Sequence, residues 1–519
     1  MLIKTFTSAL EGVDARTITV EVNAGGNVVV GKQFYFMVGL PDNAVKEGFQ
    51  RIDSAFRNIG YRMMRMKTVI NLAPANIRKE GSAYDLPLAI GILAATGQIK
   101  SDRLKDFLMI GELSLDGSLR PVRGALPIAI QGRKDGFKAL LLPKENAREA
   151  AIVNDIEVYP VADLKSAIEI VTGHSTLTPT TVETRAEFDY NQMDWEIDFA
   201  DVAGQENIKR ALELAAAGNH NAVLIGPPGA GKTMLARRLP TILPPLNLHE
   251  ALETTKIHSV AGILPQDASL IAKRPFRSPH HTTSAIALFG GGANPMPGEI
   301  SLAHNGVLFL DEMPEFSKYA LEVMRQPLEE RKVTISRAKT TLSYPANLML
   351  IASMNPCPCG FYNHPEKDCV CPPGLVRKYL NKISGPMLDR IDLHVEVTPV
   401  SYDKITQNNQ ANENSSEIRE RVIRARQIQE NRYKEYPGIY NNAQMTPKML
   451  QSICQLPSAG LILLKKAMEK LQLSARAYDR ILKVARTAAD LAESKEIKIE
   501  HLAEAIHYRS LDRENWSEL

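Results

Sequence analysis

Short apolar runs bounded by turn residues recur through the middle of the chain. Residues 222–225, 307–310 and 348–352 each read as a strand buried on both faces. Helical spacing fills the intervals between them, so 199–400 is predicted to be a three-layer α/β unit. Before it, apolar and polar residues alternate at 17–22, 27–30 and 34–38, and helical spacing covers 44–58, which predicts an α+β unit over 1–174. After it, 417–509 reads as helix, with Gly and Pro confined to connections, which predicts a helical unit over 417–519. Two segments lack any period: the Thr-rich, acidic stretch 175–198 with Pro179, and the Asn- and Gln-rich stretch 401–416. Both read as linkers. No repeat with a period of roughly 20–50 residues is present.

Composition narrows the class. A chain of 519 residues exceeds one hydrophobic core, and 44% hydrophobic with 23% charged residues is globular. The most apolar stretch, 86–96, is interrupted by Pro87 and falls short of the roughly 18 residues a membrane span needs. Glu11 and Asp14 sit where a signal sequence would be apolar, so a cytoplasmic location is expected. The 62 Lys+Arg against 59 Asp+Glu give +3, which is no footprint of a nucleic-acid binder; such a role must rest on local patches. Four of the five cysteines fall between Cys357 and Cys371, a cluster that reads as metal-binding before it reads as disulfides.

The sharpest chemistry follows the first apolar strand. Gly226-Pro227-Pro228-Gly229-Ala230-Gly231-Lys232-Thr233 lies between that strand and a helix. Glycines let backbone N–H groups turn toward phosphate oxygens, and the helix N-terminus adds its positive end. Lys232 would reach the β- and γ-phosphates of ATP, and the Thr233 hydroxyl would ligate Mg²⁺. The run 307–310 ends in Asp311 and Glu312: Asp311 for the Mg²⁺ shell, Glu312 to polarise the attacking water, or both as acidic caps of a following helix. The run 348–352 leads to Asn355, placed to orient the water or sense the γ-phosphate.

With Leu388-Asp389-Arg390-Ile391-Asp392 downstream, this order of motifs resembles an AAA+ ATPase. Pro297-Gly298-Glu299-Ile300-Ser301-Leu302-Ala303-His304-Asn305-Gly306 is similar to the magnesium-chelatase-like branch. Val38-Gly39-Leu40-Pro41-Asp42, Asn71-Leu72-Ala73-Pro74-Ala75 and Gly111-Glu112-Leu113-Ser114-Leu115-Asp116-Gly117 extend the resemblance to the YifB/ComM family over nearly the whole chain. The resemblance implies a homo-oligomeric ring, usually a hexamer, with ATP at subunit boundaries. Arg390 matches the arginine finger, and Arg476, in Leu473-Ser474-Ala475-Arg476, matches the second sensor of a C-terminal helical lid; either could instead be an ordinary salt-bridged arginine. Phosphoryl transfer wants such a mobile cation from outside the loop.

The N-terminal unit resembles the ribosomal-protein-like fold of Lon protease domains, especially at Leu140-Leu141-Leu142-Pro143-Lys144-Glu145-Asn146. The serine nucleophile and lysine base of a protease do not match: Ser82 stands in a different context and Pro127 falls at the lysine position, so the unit is expected to be non-proteolytic. Cys357, Cys359, Cys369 and Cys371 form two Cys-X-Cys pairs that suit a structural Zn²⁺, with His364 a spare ligand; four reduced thiols in a Pro-stiffened loop are the alternative. Residues 331–342 alternate β-branched positions around a basic tip and predict a β-hairpin. Such hairpins line the pore in related ring translocases, so Arg337 and Lys339 resemble DNA-tracking cations, unless the hairpin is merely solvated. A second basic candidate is Lys273-Arg274-Pro275-Phe276-Arg277-Ser278-Pro279-His280-His281, followed by Gly290-Gly291-Gly292. The resemblance therefore implies a DNA-acting ring motor, a branch-migration helicase or translocase in recombination or natural transformation. A chelatase-type motor that remodels a protein partner for metal insertion is the alternative, and an ATP-dependent protease is disfavoured.

Overall fold

The computed structural model describes residues 1–28, 34–183, 188, 195–265, 269–292, 295–336, 341–362, 364, 366–399 and 413–509. The alternating N-terminal segments form long strands, Leu2–Glu11 and Asp14–Val28, paired antiparallel from Leu2↔Asn23 to Glu11↔Asp14. They centre a mixed sheet in the order Tyr35–Val38, Met66–Ala73, Asp14–Val28, Leu2–Glu11, Phe107–Met109, Ala139–Pro143, Glu157–Val161. The expected strand at 27–30 is the end of Asp14–Val28; residues 29 and 30 lie outside the described residues. Helix Asp85–Ala95 is buried at every residue, which is why its sequence shows no amphipathic period. One face of this sheet continues into the rest of the molecule, because Leu126, Leu140 and Leu142 share an apolar cluster with Leu246, Ala251 and Leu270. The buried carboxylate of Glu149 accepts from the Leu126 amide at 2.9 Å and from the Ser259 hydroxyl, and Lys256 pairs with Asp14 at 2.6 Å. Helix Leu248–Ala261 thus docks the N-terminal sheet.

The second sheet is parallel throughout, in the order Phe276–Arg277, Val307–Leu310, Met349–Met354, Ala222–Ile225, Leu393–Glu396. Every residue of its three central strands is buried, as the unbroken apolar runs predict. The strands ending at Ile225, Leu310 and Met354 bring 226–233, 311–312 and Asn355 to one edge, where parallel sheets bind ligands. Of the helices the pattern predicts, Ser415–Tyr433 and Ala475–Leu491 pack on helix Glu206–Gly218, while Pro447–Ile453 packs on Ala475–Leu491 and Ser458–Lys470 on Ile499–His507. Gln429 Nε2 donates to the Ala217 carbonyl at 3.0 Å and Arg210 pairs with Glu504 at 2.8 Å to hold them there.

The predicted hairpin is present: Lys332–Ser336 pairs antiparallel with Thr341–Pro345, burying Val333, Ile335 and Tyr344. Arg337 and Lys339 lie outside the described residues. Among the described residues no helix is long and apolar enough to cross a membrane.

Candidate active site

The phosphate loop bends where the sequence allows it to. Gly229 and Gly231 have φ of +77° and +84°, and a Cβ on Gly226 would lie 2.2 Å from the Val397 carbonyl oxygen. Gly231 then starts helix Lys232–Ile242, so the loop amides and the helix N-terminus converge on one point. Lys232 Nζ donates to the carbonyls of Gly226 at 2.6 Å and Pro227 at 2.9 Å and to Asn355 Oδ1 at 3.1 Å. Burial pulls its ammonium down to about 8, against the opposing pull of Asp311 and Glu312.

Thr233 Oγ1 donates to Asp311 Oδ2 at 2.9 Å, which places the two predicted Mg²⁺ ligands side by side. Two adjacent hard oxygens, a hydroxyl and a carboxylate, fit that ion. The other Asp311 oxygen accepts from Ser353, whose oxygen in turn takes the Glu312 amide at 3.2 Å. Glu312 has φ +52°, a left-handed conformation that costs a non-glycine residue about 1–3 kcal/mol and is typical of functional positions. Its side chain projects outward, and its carboxylate lies 3.6 Å from His281 Nδ1.

Ser353 escapes the sequence reading, and His281 enters it only within the basic segment 273–281 and not beside Glu312, although a signal for each exists. Ser353 stands two positions before Asn355, so both share one face at the strand end. His281 and Glu312 each lie four residues past the paired positions Arg277↔Leu308 of two parallel strands.

The two predicted arginines are elsewhere. Strand Leu393–Glu396 runs parallel to Ala222–Ile225 with Leu393 opposite Ala222, so Arg390 sits at the sheet edge away from the phosphate loop. Arg390 is only 7% exposed, paired with Glu329 and donating to the Pro386 carbonyl, so it is not the free cation expected. Arg476 is 60% exposed and lies 3.5 Å from Asp389, beside Arg390. Below them Asp392 accepts from Arg480 at 2.9 Å and from the Asn221 amide at 3.0 Å.

The cysteines come together. Cys357, Cys359 and Cys369 sulfurs are 3.3, 3.7 and 3.6 Å apart, and Cys371 completes a group whose ligand atoms all lie within 4.8 Å. A tetrahedral zinc with 2.3 Å Zn–S bonds needs sulfurs about 3.8 Å apart, so the donor set fits. His364 does not join them: its Nδ1 accepts from the Glu366 and Lys367 amides at 3.0 and 3.1 Å. The second basic candidate is spent on the fold. Arg274 binds the carbonyls of Pro244 and Asn305 at 2.6 and 2.7 Å, Arg277 pairs with Glu299 at 2.6 Å, and Lys273 lies over the Trp195 ring. In the N-terminal unit the Ser82 hydroxyl donates to Glu112, and Pro127 is buried within helix Ala125–Lys134.

A five-stranded parallel sheet carrying a phosphate loop, an Asp–Glu strand end and an asparagine bonded to the loop lysine defines a P-loop ATPase of the AAA+ class, which works with ATP and Mg²⁺. The magnesium chelatase subunit ChlI family matches residues 198–405, its C-terminal family 412–509, and the family described as subunit ChlI of Mg-chelatase 20–146. Competence protein ComM of Haemophilus influenzae is 41% identical over 513 residues, covering 98% of this chain and 97% of that protein. YifB of Escherichia coli is 42% identical over 514 residues, with 98% and 97% covered. Lon protease 2 of Bacillus subtilis is 31% identical over 150 residues, 27% of this chain and 26% of that protein. The chain belongs to the YifB/ComM family of magnesium-chelatase-like AAA+ ATPases.

Proposed function

We propose that this ATPase is a ring-forming motor that moves on DNA, with branched DNA as its substrate and branch migration as its output. The observation that carries the reading is mechanical. The hairpin Lys332–Ser336/Thr341–Pro345 leads directly into strand Met349–Met354, and the next residue, Asn355, touches Lys232. Loss of the γ-phosphate would therefore be felt at the base of the hairpin. Arg337 and Lys339 at its tip would grip backbone phosphate without reading bases, as a translocase requires. The ring supplies the missing half of the site: Arg476, and Arg390 once released from Glu329, would act on the neighbour's ATP, because both lie at the sheet edge away from their own phosphate loop.

Within a chain the roles divide accordingly. Lys232 and the loop amides would hold the β- and γ-phosphates, Thr233 and Asp311 would hold Mg²⁺, and Glu312 would take the proton of the attacking water. Mg²⁺, when bound, neutralises phosphate charge. The four cysteines would hold Zn²⁺ as a structural ion. The name of the Haemophilus relative, a competence protein, accords with a role in handling DNA.

The test is the ATPase rate with no DNA and with single-stranded, duplex and branched DNA. Stimulation greatest with branched DNA, and lost with Arg337→Ala/Lys339→Ala while the basal rate stays, is the expected result. A rate indifferent to all three DNAs would refute the DNA-motor reading and favour the partner-remodelling one.

A further inference from the structure

The cysteine loop touches the nucleotide site through Gly360. Gly360, between Cys359 and Phe361, has φ +85°, and a Cβ built on it would meet Pro228 Cδ at 2.5 Å and Cγ at 3.2 Å. Pro228 is inside the phosphate loop, two residues after Gly226. The close approach and the left-handed backbone each call for glycine there. The loop is also anchored at its start, since Asn355, bonded to Lys232, lies two residues before Cys357. The Gly360 amide donates to the Cys357 carbonyl at 3.0 Å, closing the turn that presents Gly360 to Pro228, and the four sulfurs lie within 4.8 Å of one another around it.

We infer that the four cysteines bind a zinc ion whose task is to hold Gly360 against Pro228, so that the metal shapes the phosphate loop and its loss is felt as weaker ATP binding. This deepens the ATPase reading and rests on it. The metal would act through the loop that Pro228 belongs to.

Two variants separate the parts. Gly360→Ala keeps all four ligands but needs about 1 Å of displacement to bring its Cβ to carbon contact distance from Pro228. Displacement on that scale is expected to weaken binding of a fluorescent ATP analogue roughly ten- to hundredfold, with zinc still bound. Cys369→Ser/Cys371→Ser is expected to lose zinc and to show the same weakening. Gly374→Ala, where a Cβ meets nothing within 4 Å, serves as the control and should bind nucleotide like the parent. Elemental analysis of protein purified without added metal should give about one zinc per chain.

A zinc-free parent overturns the metal centre. Parent-like nucleotide affinity in either Gly360→Ala or the zinc-free double variant overturns the coupling. A parent that fails to bind the analogue at all refutes the ATPase reading itself, which is a different result.

Discussion

Mixing two defective chains tests whether the nucleotide site is shared between subunits. Lys232→Ala removes the phosphate-binding ammonium but leaves the far edge of the sheet intact, whereas Arg476→Ala removes an exposed guanidinium and leaves the phosphate loop intact. The four-residue strand Ala222–Ile225 separates the loop from the arginine edge by about 10 Å at roughly 3.3 Å per residue, before the loop itself adds more. On the proposed shared site Arg476 therefore serves the phosphates of the neighbouring chain. In a head-to-tail ring each site takes its loop from one chain and its arginine from the next. Each variant alone should lose ATPase activity, by about 10³-fold for the arginine change. In an equal mixture, half the loops and half the arginines are intact, so about a quarter of the sites are whole and about a quarter of the parent rate should return. The assay is steady-state ATPase after the chains have been mixed and allowed to exchange. A mixture no more active than the sum of its parts would refute the shared site.

Glu312→Gln should bind ATP as the parent does and fail to hydrolyse it, and parallel nucleotide-binding and turnover assays check this; loss of both together would count against water activation. Lys232 should make ATP affinity pH-dependent. Its ammonium is lowered to about 8 in the free site and must be charged to hold phosphate, so binding takes up a proton above that pH. Affinity should fall by up to about tenfold per unit as pH rises beyond 8, and a profile flat to about pH 9.5 would contradict this. Asp392→Ala leaves Arg480 and the Asn221 amide without their buried partner and should destabilise the chain by about 3–5 kcal/mol in urea unfolding.

The central sheet was readable because its strands are buried on both faces, so continuous apolar runs mark them and turn residues mark their ends. The phosphate loop and its partners followed from local sequence, since each lies within a residue or two of a strand end. The hairpin was legible from the alternation that buries Val333 and Ile335. What local sequence hides is whatever depends on register or on charge pairing. His281 meets Glu312 only because two short parallel strands align Arg277 with Leu308. The Arg277 and Arg274 side chains look like a free basic patch until Glu299 and the Pro244 carbonyl are seen to occupy them. Arg390 reads as a mobile cation from its motif, yet Glu329, 61 positions earlier, closes on it. Helix Asp85–Ala95 lost its period because it is enclosed on all sides.

The most direct measurement is strand exchange on a synthetic four-way junction, with the parent and Lys232→Ala compared with and without ATP. The parent should convert the junction to its branch-migrated products only when ATP and Mg²⁺ are present, and Lys232→Ala should leave it unchanged. A parent that hydrolyses ATP in the presence of the junction yet never moves it would contradict the proposed DNA motor.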